Sequence, residues 1–86
     1  MTANRAVVVG AEVGLHARPA SLFVQAVTAT GSQVSLTYDG RTVNGASILG
    51  VLSLGVPHGA TVELEAEDDL VLESLAELLE SGLNDS

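Results

Sequence analysis

From Thr61 to Glu67 the chain alternates without a break: Val62, Leu64 and Ala66 are apolar, while Glu63, Glu65 and Glu67 are carboxylates. A strand with this period puts one face in the core and the other in water. It predicts a sheet covered on one side only, and the rest of the chain must supply that cover. Gln33 to Tyr38 has the same period, with Val34, Leu36 and Tyr38 on one side. Asp39-Gly40 is a two-residue turn signal of the type I′ kind, and Arg41 to Asn44 makes the return strand of a hairpin. Arg5 to Val9 is a short β-branched run and reads as a further strand.

Between the strands the period changes. Ala20, Phe23, Val24 and Val27 fall at i, i+3, i+4 and i+7, the apolar face of a helix that opens at His16. Pro19 lies in its first turn, where a missing N–H costs nothing, and Gly31 lies just beyond its end. Ser47 opens a short helix through about Leu54, stopped by Gly55 and Pro57. Asp68 or Asp69 caps a last helix that turns Leu72, Leu75, Leu78 and Leu79 inward, with Gly82 at the C′ position. The order is β-α-β-β-α-β-α, a two-layer α+β arrangement with three helices on one face of four strands.

A chain of 86 residues holds one small domain, expected to span 1–86. Its only aromatic residues are Phe23 and Tyr38, so the core must be packed from Val, Leu, Ile and Ala. It has no cysteine, which excludes a disulfide scaffold, a thiolate nucleophile and a zinc finger. Neither a metal nor a cofactor is expected. No apolar run reaches the length needed to cross a bilayer, and Met1 to Gly10 lacks a signal-peptide pattern, so a cytoplasmic protein is expected. The net charge is −8, and nine of the 11 carboxylates lie in residues 63–86, where there is no base. Three arginines and no lysine give no polybasic footprint for nucleic acid or for an anionic membrane.

The chemistry is concentrated in Gly14-Leu15-His16-Ala17-Arg18-Pro19-Ala20-Ser21. His16 stands where a helix begins, and the first N–H groups of a helix have no partner within it. Those donors and the helix dipole favour a phosphoryl dianion. The N–H groups of Ala17 and Arg18 are the candidate cradle, and the Arg18 guanidinium can fork onto phosphate oxygens. Imidazole is nucleophilic on nitrogen and partly neutral near pH 7, which suits a temporary carrier. The plain alternative is a simple capping arrangement with no chemistry.

The segment Gly14 to Ala20 resembles the active-site signature of the HPr family, the histidine-containing phosphocarriers of the sugar phosphotransferase system. A second block, Val43-Asn44-Gly45-Ala46-Ser47-Ile48-Leu49-Gly50-Val51-Leu52-Ser53-Leu54-Gly55, resembles the family's regulatory-serine segment, at the family's spacing. The resemblance implies an open-faced β-sandwich of βαββαβα order with a four-stranded antiparallel sheet. It implies phosphorylation of His16 on Nδ1 by enzyme I, which draws the group from phosphoenolpyruvate, and donation to the IIA domains of sugar permeases. Arg18 would steady the group in both transfers. The carrier would be a substrate and donor in a relay, not an enzyme, and is expected to be a monomer.

Around the second helix Ile48, Leu49, Val51, Leu52 and Leu54 leave almost no polar face. Val51 and Leu54 are the candidates for the core. Ile48, Leu49 and Leu52, with Ser21 and Leu22 from the first helix, would then surround His16 as a docking surface. Ser47 has a structural role of its own as an N-cap. By resemblance it also matches the serine phosphorylated by HPr kinase/phosphorylase in some bacteria, although Ala46 stands where many kinase-regulated members carry lysine. His58, in Val56-Pro57-His58-Gly59, reads as a surface turn residue, and the glutamates of the last strand as a solvated face. Other readings are a regulatory carrier for a nitrogen-linked or glycerone-kinase branch, and a small binding module without phosphate chemistry, for which His16 is dispensable. A hydrolase using His16 or His58 lacks a nucleophile–base–orienter set.

Overall fold

The computed structural model describes residues 3–82, so the first two and last four residues of the expected 1–86 domain lie outside the described residues. The elements are β1 (Ala3–Val8), α1 (Ala17–Thr30), β2 (Val34–Tyr38), β3 (Arg41–Asn44), α2 (Ile48–Leu54), β4 (Thr61–Ala66) and α3 (Asp69–Glu80). The four strands form one sheet in the order β1-β4-β2-β3, and every pair is antiparallel. The β2–β3 hairpin closes as its sequence predicts: Asp39 and Gly40 take φ of 53° and 79°, the two left-handed residues a type I′ turn requires.

The register explains the alternation of β4. Asn4, Glu65, Ser35 and Asn44 lie in one row across the sheet, and Ala6, Glu63, Thr37 and Thr42 in the next. These rows form the uncovered face, where Thr37 and Thr42 hydroxyls meet at 2.7 Å. The other face carries Val7, Val34, Leu36, Val62, Leu64 and Ala66, all buried. The helices cover it, with α3 against β1 and β4, α2 against β3, and α1 against both other helices. Among the described residues the buried set is entirely apolar, and Phe23 is its largest side chain.

Four details differ from the sequence expectation. The first strand is shifted towards the N-terminus, ending at Val8, because Val9 already turns to exchange hydrogen bonds with Gly59 and Ala60. The last strand stops at Ala66, and Glu67 leads into the Asp68 cap of α3. Val24 is half-buried beside the buried Ala20, Phe23 and Val27. In α3 the inward stripe is Leu72, Leu75, Ala76 and Leu79, with Leu78 only half-buried. A period of 3.6 residues places Leu78 on the shoulder of that stripe.

Candidate functional site

The loop between β1 and α1 is built to hold His16 at the surface. Gly14 closes a tight turn, its N–H donating to Ala11 O at 2.9 Å. The next N–H, that of Leu15, donates to Val56 O at 2.9 Å, while the Leu15 side chain is fully buried. Gly14 has φ +74°, and a Cβ there would stand 2.2 Å from Val56 O. Only glycine allows this approach. One anchored residue therefore precedes His16 directly, and the imidazole emerges exposed at the N-cap of α1.

The three helix starts differ in a way that matters. Ser47 caps α2 by accepting from Gly50 N–H at 3.0 Å, and Asp68 caps α3 by accepting from Leu70 N–H at 2.8 Å. His16 has extended backbone, as a cap should, yet makes no side-chain cap hydrogen bond. The first turn of α1 also contains no carboxylate. Its N-terminal donors and the positive end of its dipole thus face a position that suits an anion. Arg18, exposed, belongs to the same turn.

The sequence offers Ala17 as a backbone donor, and the structure adds something the sequence does not signal. Its φ is +49°, in the left-handed region that alanine enters at a cost of roughly 1–2 kcal/mol. The chain turns sharply at the residue following His16. Ala17→Gly should relieve this and raise the unfolding free energy by about 0.5–1 kcal/mol, checked by urea titration.

The second helix bears out the division of its apolar residues. Val51 and Leu54 are buried, whereas Leu49 is 77% exposed and Ile48 and Leu52 are exposed to a smaller degree. Ser21 and Leu22 are half-buried, Leu22 packing partly against the core, so α1 offers less open apolar surface than α2. Val13, three residues before His16, is 60% exposed, which the sequence pattern does not signal. Its exposure follows from the Ala11–Gly14 turn, which periodicity does not encode. His58 is exposed in its turn, as expected.

Among the described residues no group of histidines, aspartates and glutamates is arranged to hold a metal ion, and no helix is long and apolar enough to cross a membrane.

Residues 3–81 match the family PTS-HPr, described as the PTS HPr component phosphorylation site. The phosphocarrier protein HPr of Streptomyces coelicolor is 47% identical, the alignment covering 96% of this chain and 94% of that protein. Among solved structures, HPr-C-His from Thermoanaerobacter tengcongensis superposes with a TM-score of 0.89 at 37% identity, covering 98% of both chains. The phosphocarrier protein HPr from Bacillus anthracis gives 0.87 at 34% identity, covering 91% of this chain and 96% of the other.

Proposed function

Since the chain belongs to the PTS-HPr family, whose members are phosphocarriers and not enzymes, we propose that His16 is the residue that carries the phosphoryl group. One observation supports this most directly: α1 begins at an exposed histidine that leaves the helix N-terminus without a side-chain cap. Enzyme I is the proposed donor and the IIA domains of sugar permeases the acceptors, in the cytoplasm.

In the forward step the Nδ1 lone pair attacks phosphorus, and the P–N bond forms as the bond to the donor breaks. Such transition states are loose, so the protein contributes position and charge more than covalent help. The backbone donors of Ala17 and Arg18 cradle the oxygens, and the Arg18 guanidinium steadies them. Ile48, Leu49 and Leu52, with Ser21 and Leu22, form the apolar ground on which both partners settle. The test is transfer itself. Labelled phosphoenolpyruvate with enzyme I and Mg²⁺ should place acid-labile label on the chain, and an added IIA domain should remove it. A chain that takes no label, or that cannot pass it on, contradicts the reading.

Ser47 is the proposed site of control. Its hydroxyl occupies the N-cap of α2 at the edge of the apolar ground, and a phosphoryl group there would add close to two negative charges beside it. Ser47→Ala should lower the unfolding free energy by about 1 kcal/mol through loss of the Gly50 N–H acceptor. It should also abolish acid-stable, ATP-dependent label from an HPr kinase while leaving the acid-labile label intact. Acid-stable label persisting in this variant would place the modification elsewhere.

A further inference from the structure

The second helix, Ile48-Leu49-Gly50-Val51-Leu52-Ser53-Leu54, contains no charged residue and so has no base of its own near its C-terminus. Its end is closed only in part by the Gly55 cap, whose N–H returns to Leu52 O at 3.2 Å. The carbonyls of Ser53 and Leu54 point beyond the helix, and both are met from another element. Arg41, the first residue of β3, donates from Nη2 to Ser53 O at 2.9 Å and approaches Leu54 O at 3.4 Å. A cation at this end also complements the helix dipole.

We infer that Arg41 is a positioning residue for partner docking, clamping the C-terminal end of α2 so that Ile48, Leu49 and Leu52 are presented as one fixed surface. This rests on the reading of that surface as the docking ground. The helix is only seven residues long, and its N-terminal end is held independently by the Ser47 cap and by the Ser47 N–H bond to Asn44 O at 3.0 Å. Both ends are therefore tied to β3, Asn44 at one end of that strand and Arg41 at the other. The type I′ turn at Asp39-Gly40 fixes the register that sets Arg41 opposite Tyr38. A helix held at both ends pays less ordering cost when a partner closes on it.

The test uses the full chain in transfer from phosphorylated enzyme I, with steady-state kinetics in the concentration of the carrier. Arg41→Met, which keeps the aliphatic stem and removes the donors, should raise the KM by about two- to fivefold with kcat nearly unchanged. Arg41→Lys, whose ammonium can still donate to the helix carbonyls, should recover most of the loss. Amide exchange in the last turn of α2 should quicken in Arg41→Met while that of α1 and the sheet stays as in the parent chain. An unchanged KM, a loss confined to kcat, or an Arg41→Lys variant no better than Arg41→Met overturns the inference. Failure of the parent chain to take label at all would instead contradict the carrier reading.

Discussion

Alanine in place of His16 should reduce acid-labile label from phosphoenolpyruvate to background, a loss of at least about a thousandfold in transfer rate. The fold should survive the change. His16 is exposed and makes no cap bond, so its removal leaves no buried donor without a partner, and stability should change by less than about 0.5 kcal/mol. That combination, full loss of transfer with an intact thermal transition, separates a carrier from a binding module that merely shares the fold. Equal label on His16→Ala and the parent chain would remove the carrier role from this residue.

Gly14→Ala should have the largest effect on the fold around the site. The added Cβ would lie 2.2 Å from Val56 O and 2.9 Å from Pro57 Cα, both backbone atoms that cannot swing aside. An alanine at φ +74° adds a left-handed penalty of roughly 1–2 kcal/mol. The loop must withdraw, which breaks the Leu15 N–H bond to Val56 O and costs about 1–3 kcal/mol more. Together these predict a loss of about 2–5 kcal/mol, a fall in Tm of roughly 10–30 °C for a domain of this size. Transfer should slow as well at temperatures where the variant is folded, because His16 follows the displaced residue pair. A Tm within about 2 °C of the parent chain would mean that the loop is not braced on Val56.

Much of this architecture is legible in the sequence because it is local or periodic. The alternation of Val62, Leu64 and Ala66 against three glutamates identifies a half-covered sheet, and Asp39-Gly40 identifies the turn that sets a register. The caps of α2 and α3 are readable as well, Ser47 outright and Asp68 as one of two adjacent aspartates, because each stands where a side-chain acceptor is needed. What escapes is set by contacts between distant segments. Nothing in Leu15 or Val56 announces that they are bonded, and the brace becomes visible only when Gly14 is seen against Val56 and Pro57. The left-handed Ala17 is opposite to its own propensity and is imposed by the turn from an anchored loop into a helix. Arg41 reads from sequence as an ordinary exposed strand residue, because the helix end it meets is twelve residues further along the chain.

The uncapped start of α1 joins these points. A helix N-terminus left without a side-chain acceptor costs stability, roughly 1 kcal/mol relative to a good cap. Here the cost falls at the end of the helix where the proposed phosphoryl dianion would sit, while α2 and α3 are capped in the ordinary way. The sharp turn at Ala17, the anchored Leu15 and the exposed imidazole all meet at that point, where the proposed carrier atom stands.

The direct test is to locate the phosphoryl group on the charged protein. After phosphorylation by enzyme I and phosphoenolpyruvate, ¹H–¹⁵N correlation of the imidazole rings in a ¹⁵N-labelled chain should show His16 substituted at Nδ1, with the His58 ring unchanged. A phosphoryl group found on His16 Nε2, on His58, or on neither ring would contradict the account.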